Sequence, residues 1–315
     1  MKVLIVCSRR YYSPHTGYMA PFVFEQGKAL QKLGVELDYL LISNGLKGYL
    51  KSIRRIKDTI ESFSPDIIHA HYGLCGIIAN TQRRVPVVTT FHGTDLNNTW
   101  LRLISSFAIL LSKASIVVSS ALRSRALFHH NLHVIPCGVD TQLMIPMKKE
   151  EARIKLGWDL ENKIILFSKE FHNKAKNYPL AKASIDLYNE RLANGQEIKL
   201  LEFIGYSREQ VLWLYNAVDC VLMTSNYEGS PQFIKEAMAC DSPVVSVDVG
   251  DVKEVISGTD GCYIAERSPE DIASKLDLAI HFGRTKGRNR ILRYYSSETV
   301  ARRILDIYRD IIGHE

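Results

Sequence analysis

Residues 220–247 read CVLMTSNYEGSPQFIKEAMACDSPVVSV, and this stretch contains the pattern that decides the fold. Cys220–Thr224 and Pro243–Val247 are short and mostly apolar, which is typical of parallel strands that are covered on both faces. Between them, Gln232–Ala239 has the length and composition of a helix, and the small-residue turn Gly229–Pro231 precedes it. The stretch is therefore predicted to form a strand, a helix and a second strand.

The same alternation runs through most of the chain. Further strands are predicted at Val3–Val6, Glu36–Ile42, Asp66–His69, Val85–Thr90, Ser115–Ser119, Lys163–Ser168 and Lys199–Ile204. Further helices are predicted at Phe22–Leu33, Leu46–Ser62, Leu101–Lys113, Leu180–Leu192 and Arg208–Ala217. Strands that alternate with helices in this way predict an α/β protein with doubly wound parallel sheets.

A break in the alternation divides the chain into two halves. A predicted strand and then turn residues within Val134–Asp140 are followed by a polar segment to about Asn162, where we place the linker. We predict one Rossmann-like domain over residues 1–150, a second over 151–297, and a closing helix over 298–315, for which a return to the first domain is one option. Ligands bind outside the carboxyl ends of the strands in such sheets, so the expected site is a cleft between two facing domains.

The composition excludes several classes of protein. Of 315 residues, 46% are hydrophobic and 23% are charged, which is ordinary for a globular protein and excludes wholesale disorder. No run reaches the ~18 apolar residues that a membrane-spanning helix needs. The amino terminus is expected to be a first strand and not a signal peptide. Six cysteines lie far apart, so we expect buried thiols in a cytoplasmic protein.

The positive charge is concentrated in the first half of the chain. Residues 1–145 contain 16 Lys and Arg against 8 Asp and Glu, whereas the rest contains 24 against 26. In the segment 46–60, apolar residues recur at helical spacing and five cations occupy much of the remainder. This segment fits peripheral contact with an anionic membrane, but it fits a domain helix with solvated cations equally well. Nucleic acid is not an expected partner, because aromatic residues do not alternate with the basic ones.

The turn before the predicted helix 232–239 is the main candidate for a ligand site. Unpaired backbone N–H groups at a helix N-terminus favour an anion such as a phosphate. Glu228 lies in the turn and Glu236 follows eight residues later, so one ligand can contact both. Carboxylates that accept hydrogen bonds from neighbouring hydroxyl groups commonly bind a sugar or a ribose.

The segment 226–240 resembles the E-x7-E signature of the family 4 retaining glycosyltransferases, which have the two-domain GT-B fold. Five other segments resemble family blocks and occur in the family order: Asp66–His71, Phe91–Asp95, Val134–Asp140, Ala217–Asp219 and Val249–Glu254. The ordered set is much more specific than any one block, and it extends over nearly the whole chain.

The resemblance implies a nucleotide-diphosphate sugar as donor and assigns a role to each matching residue. Glu236 would bind the donor ribose, and Glu228 and His92 would contact the transferred sugar as the catalytic residues. Backbone around Gly229, Ser230, Pro231 and Gln232 would approach the diphosphate, although Pro231 has no N–H to donate. Gly17, in the loop after the first strand, would allow backbone to approach the phosphates.

The sequence departs from the family pattern at residues 167–177. The family commonly has an Arg and then a Lys that neutralise the leaving diphosphate, and here the Arg is absent. Lys176 matches the Lys, and Lys169 or Lys174 could replace the guanidinium without its bidentate geometry. No Asp-x-Asp motif and no cluster with metal-ligand spacing occurs, so we expect no metal and no other cofactor.

We therefore expect a metal-independent glycosyltransferase that retains the anomeric configuration. The expected acceptor is a saccharide or lipid-linked saccharide in polysaccharide biosynthesis. Two alternatives remain open at this point: a GT-B enzyme without transfer, such as a sugar-nucleotide epimerase, and a non-catalytic protein that binds nucleotide sugars.

Overall fold

A computed structural model describes residues 1–9, 20–43, 45–192 and 197–313. The chain divides into two compact units, of which the first comprises Met1–Gly138 with Ser297–Glu315 and the second comprises Val139–Ser296. Each unit is a parallel sheet with helices, as the sequence predicts.

The elements in chain order are as follows. The strands are β1 (Lys2–Ser8), β2 (Glu36–Ile42), β3 (Ile67–His71), β4 (Val87–Phe91), β5 (Ala114–Val117), β6 (Leu132–Val134), β7 (Lys163–Phe167), β8 (Ile198–Leu201), β9 (Cys220–Met223), β10 (Val244–Val247) and β11 (Cys262–Ala265). The helices are α1 (Pro21–Lys32), α2 (Leu46–Phe63), α3 (Gly73–Ala79), α4 (Thr94–Asn97), α5 (Thr99–Leu111), α6 (Ser120–Arg123), α7 (Lys149–Leu156), α8 (Tyr178–Glu190), α9 (Arg208–Ala217), α10 (Gln232–Ala239), α11 (Val252–Ile256), α12 (Pro269–Phe282), α13 (Gly287–Tyr294) and α14 (Ser297–Gly313).

The sheet of the first unit has the order β2-β1-β3-β4-β5-β6, and its strand pairs are parallel. Along β1, Val3 and Ile5 pack with residues of α1 and α14, whereas Leu4 and Val6 pack with residues of α2 and α3. Because successive side chains point to opposite faces, a strand covered on both faces must be apolar throughout. This explains the uninterrupted apolar run at the start of the sequence.

The sheet of the second unit has the order β11-β10-β9-β7-β8. The chain runs from β7 outward to β8 and then crosses back to β9 on the other side of β7. The loops that follow β7 and β9 therefore diverge at a topological switch point, which is where ligands bind in open α/β sheets.

The division between the units lies earlier than the predicted linker. Val139 and Met144 are fully buried in the core of the second unit. Helix α7 lies within the segment predicted to be linker, and the buried Arg153 pairs with Asp219 at 3.0 Å. Hydrophobic and ionic contacts thus attach residues 139–156 to the second unit, while α14 contributes Ile304 and Tyr308 to the core of the first.

Candidate functional site

The loops after β7 and β9 are joined by hydrogen bonds at the switch point of the second unit. The backbone N–H of Asn226 donates to the carbonyl of Ala175 at 2.8 Å. The hydroxyl of Thr224 donates to the carbonyls of Lys176 and Asn177 at 2.9 and 3.0 Å. These bonds fix the turn that contains Lys176 against the turn that leads to Glu228.

Lys176 and Glu228 form an ion pair at this point. Lys176 Nζ lies 2.5 Å from Glu228 Oε1, and both side chains are largely buried. The structure thus brings together one predicted donor-binding residue and one predicted catalytic residue. Lys169 is in a different environment, because it is exposed and lies 3.6 Å from its neighbour Glu170.

The hydroxyl of Ser230 is directed into the protein. Ser230 Oγ donates to Asp251 Oδ2 at 2.6 Å and accepts a hydrogen bond from Lys235 Nζ. Lys235 also pairs with Asp251 at 2.9 Å, and both side chains are fully buried. Burial raises the pKa of Asp251 above its ordinary value, although Lys235 and Ser230 act in the opposite direction. The Ser230 side chain therefore fixes the turn from behind, which leaves only its backbone for the predicted ligand contact.

A close backbone approach completes the support of this turn. Gly250 has φ +62°, and a Cβ at this position would lie 2.8 Å from the carbonyl oxygen of Gly229. Only glycine avoids both the strain and the clash. Pro231 is the N-cap of α10 and Gln232 is its first residue, so the turn 229–231 lies directly at the helix N-terminus, as predicted.

Glu236 is oriented by two donors that the sequence analysis did not identify. Arg208 Nη1 donates to Oε1 at 2.8 Å, and the Tyr215 hydroxyl donates to Oε2 at 3.0 Å. Glu236 as a whole is 5% exposed. Burial, followed by the charge of Glu236, raises the pKa of Tyr215 well above its ordinary value. Each carboxylate oxygen can accept a further hydrogen bond, so the group is held in place and can still bind a ligand hydroxyl.

A row of histidines lies at the carboxyl ends of β3 and β4 in the first unit. His71 Nδ1 lies 2.9 Å from His92 Nε2, and His69 and His71 stack with ring centroids 4.5 Å apart. His69 contacts the Tyr308 hydroxyl at 2.5 Å and the Thr90 hydroxyl at 2.7 Å. Burial lowers the pKa of His69 and of His92 to about 3 and that of His71 well below its ordinary value. All three imidazoles are therefore neutral near pH 7 and act as hydrogen-bonding groups without charge.

His92 is partly buried. The rings of Phe22 and Tyr72 lie 4.6 and 5.0 Å from its imidazole, measured between centroids. The aromatic contacts restrict the ring, and the accessible part can still present a neutral hydrogen-bonding group. The remaining candidate, Gly17, lies outside the described residues.

The part of the chain that the structure describes contains no assembled metal-binding site. Within those ranges, no group of three or more His, Cys, Asp and Glu side chains is arranged to hold a metal ion.

Two family models match successive parts of the chain. The model described as Glycosyltransferase Family 4 matches residues 23–143, and the model described as Glycosyl transferases group 1 matches residues 179–281. The chain is 25% identical, over 69% of its own length, to TuaC of Bacillus subtilis (strain 168), a protein named as a glycosyltransferase of teichuronic acid biosynthesis. The match covers 62% of TuaC, so the chain spans about 60% of the length of curated relatives of this kind.

Solved structures share the fold over the whole chain. Sucrose-phosphate synthase from Thermosynechococcus elongatus superposes with a TM-score of 0.83 at 16% identity, and the alignment covers 100% of both chains. HepE from Anabaena, solved in complex with UDP-glucose, superposes with a TM-score of 0.71 at 17% identity and covers 98% of this chain and 100% of its own. Likeness at this level of identity establishes a shared architecture.

Proposed function

Because the chain belongs to the family 4-type glycosyltransferases of the GT-B fold, we propose that it transfers a sugar from a nucleotide-diphosphate sugar to a hydroxyl group of an acceptor. We further propose that the anomeric configuration is retained, as in the family that the sequence resembles. The GT-B rivals without transfer have no specific support in the geometry.

One observation carries this proposal: the buried Lys176–Glu228 pair at the switch point of the second unit. A cation here can neutralise the leaving diphosphate while the carboxylate contacts the transferred sugar. Glu236 is already oriented by Arg208 and Tyr215, and it would accept hydrogen bonds from the ribose. The N-terminus of α10 would add its N–H groups and dipole to the phosphate site.

The lysine also supports a reaction without a metal ion. In this proposal, Lys176 and the N-terminus of α10 stabilise the charge that develops on the leaving group, so no divalent cation has to bridge the phosphates. His92 would act as a neutral hydrogen-bonding partner of the sugar, because burial keeps its pKa at about 3.

The relatives suggest which substrates to test first. HepE was solved with UDP-glucose, so UDP sugars are the first donors to assay. TuaC is named for teichuronic acid biosynthesis, which favours a saccharide or lipid-linked saccharide acceptor in polysaccharide biosynthesis. We place the reaction in the cytoplasm.

The proposal is tested by calorimetric titration of the full chain with a panel of nucleotide sugars, followed by transfer assays with the donor that binds. Glu236→Ala should weaken donor binding about tenfold or more, because a buried hydrogen-bonding partner is lost. Glu228→Gln and His92→Ala should lower kcat by about 10²-fold with little change in donor Kd.

A second experiment tests metal independence by chelating divalent cations with EDTA. Transfer should continue at the same rate in EDTA. Loss of activity in EDTA with rescue by Mn²⁺ would contradict the metal-independent mechanism. Wild-type rates in all three variants would contradict the site itself.

A further inference from the structure

Helix α5 exposes a continuous apolar surface. Trp100 is 79% exposed and Phe107 is 56% exposed, and Leu103, Ile104 and Leu110 are each close to half exposed. These five residues, the α5 apolar face, recur at the spacing of one side of a helix. The opposite side contains Ser105, Ala108 and Ile109, which are fully buried in the first unit.

This face is larger than the scattered apolar residues of an ordinary surface. Single exposed leucines are normal, but contiguous apolar patches mark interaction sites. Residues that follow α6 extend the patch, since the rings of Phe107 and Phe128 lie 5.9 Å apart and Leu127 beside them is exposed. The patch is therefore a candidate docking surface.

The charge around the patch identifies the occupant. Between residues 67 and 139 Asp95 is the only acidic residue, and it is buried. The same stretch contains six cations, namely Arg83, Arg84, Arg102, Lys113, Arg123 and Arg125. All except Arg102 are exposed, and Arg84 pairs with the exposed Glu61 at 3.6 Å. Arg83 Nη1 lies 3.4 Å from the Leu111 carbonyl, which places its guanidinium at the C-terminal end of α5. An apolar face beside an excess of cations over exposed carboxylates is complementary to an anionic lipid surface.

A second copy of the chain fits this surface less well. Two such faces brought together would oppose cations with cations, and no exposed carboxylate of the stretch 67–139 would compensate them. A bilayer offers both hydrocarbon and phosphate. No helix of the described ranges has the length and apolarity to cross a membrane, so the contact would be interfacial.

Helix α2 offers much less apolar surface than its sequence suggests. Ile56 and Ile60 of its apolar stripe are buried in the core beside β1 and β2. Leu46 and Leu50 remain exposed, with cations along the outer side of the helix. Helix α2 can therefore add charge near a membrane, whereas the apolar residues available for insertion lie on α5.

We propose that the α5 apolar face docks on an anionic lipid bilayer, with Trp100 and Phe107 inserted among the acyl chains and the surrounding cations on the lipid phosphates. This goes beyond the proposed sugar transfer, and its test needs neither donor nor acceptor.

The experiment is sedimentation of the full chain with vesicles of phosphatidylcholine alone and of phosphatidylcholine mixed with phosphatidylglycerol. Wild type should bind the mixed vesicles and bind the neutral ones weakly. The double variant Trp100→Ser with Phe107→Ser should lose binding about tenfold or more. Arg123→Glu with Arg125→Glu should weaken binding about tenfold on the mixed vesicles only. These side chains are exposed, so circular dichroism should show an unchanged fold.

Two matched controls locate the effect. Ile154→Ser with Ile204→Ser removes exposed apolar residues of the second unit and should leave binding unchanged. Leu46→Ser with Leu50→Ser tests α2 and should lower binding less than the α5 variant. Wild-type binding by the α5 variant, or a larger loss in the α2 variant, would overturn the proposal. So would light scattering that shows a wild-type dimer, dissociated by the α5 variant, together with no vesicle binding.

Discussion

The two units present chemically different sites at the carboxyl ends of their strands. In the second unit three ion pairs surround the turn before α10: Lys176–Glu228, Arg208–Glu236 and Lys235–Asp251. In the first unit, His69, His71 and His92 form a row of neutral rings packed with aromatic side chains. One site places fixed charge where a pyrophosphate is proposed to bind, and the other provides hydrogen bonds without charge.

The difference suits the two chemical tasks of a sugar transferase, which are to stabilise a charged leaving group and to bind an uncharged sugar. A leaving diphosphate develops negative charge, which preorganised cations stabilise best when water is excluded. A sugar ring is uncharged, and a charged imidazole beside it would be costly to bury. Substitutions in either unit can test this comparison. The largest effect on stability is expected at the buried Lys235–Asp251 pair, which supports the charged turn.

Lys235→Met should destabilise the chain by about 3–5 kcal/mol, because Asp251 would remain buried without its cation. Lys235→Met combined with Asp251→Asn should recover much of this loss, since no charge is then buried. Urea unfolding of the full chain followed by circular dichroism measures both.

The control for this prediction is Lys182→Met, which breaks the exposed pair of Lys182 with Asp186. The loss of unfolding free energy should be much smaller than in Lys235→Met, because solvent screens an exposed ion pair. If Lys235→Met and Lys182→Met lower the free energy of unfolding equally, the buried pair does not support the turn.

The two candidate phosphate lysines should differ in their effect on catalysis. Lys176→Met should lower kcat/KM by about 10²–10³-fold, because the proposed stabilisation of the leaving group is lost. Lys169→Met should change kcat/KM less than about threefold, because Lys169 is exposed and its ion pair is with its own neighbour. Steady-state assays with the identified donor compare them.

Lys176→Arg supplies the control, because it keeps the charge and should recover part of the activity. Since Glu228 loses its partner in Lys176→Met, the free energy of unfolding must be measured in parallel. Equal losses in the Lys169 and Lys176 variants would remove the distinction between the two lysines.

The sequence predicted those parts of the structure that depend on neighbouring residues. Alternating apolar runs predicted both parallel sheets, the turn before α10 identified Glu228 and Glu236 as candidates, and the family resemblance added Lys176 and His92. The spacing of residues 46–60 predicted an amphipathic helix, but only the packing against the sheet determined that Ile56 and Ile60 of its apolar stripe are buried.

Side-chain contacts between residues that are distant in the sequence could not be predicted in the same way. His69 meets Tyr308, which is 239 residues away, and Arg153 meets Asp219, which is 66 residues away. Such contacts arise from strand order and helix placement, which residue spacing does not encode. Lys235, in the mostly apolar helix α10, was a signal of a buried ion pair, but a partner could not be assigned to it from the sequence.

The buried histidines of the first unit should make the free energy of unfolding depend on pH. His69 is fully buried with a pKa of about 3, whereas an unfolded histidine titrates near 6.5. The folded state therefore disfavours the proton, and the stability from neutral His69 is complete above about pH 6.5 and is lost as the pH falls towards 3. Between pH 7 and pH 5, His69 alone should cost about 2 kcal/mol of unfolding free energy. His69→Gln cannot titrate and should show a smaller loss than wild type over this range in urea unfolding. His281→Gln, at an exposed histidine of the second unit, should show the same pH dependence as wild type. Identical pH dependence in His69→Gln and wild type would show that the neutral form of His69 does not stabilise the first unit.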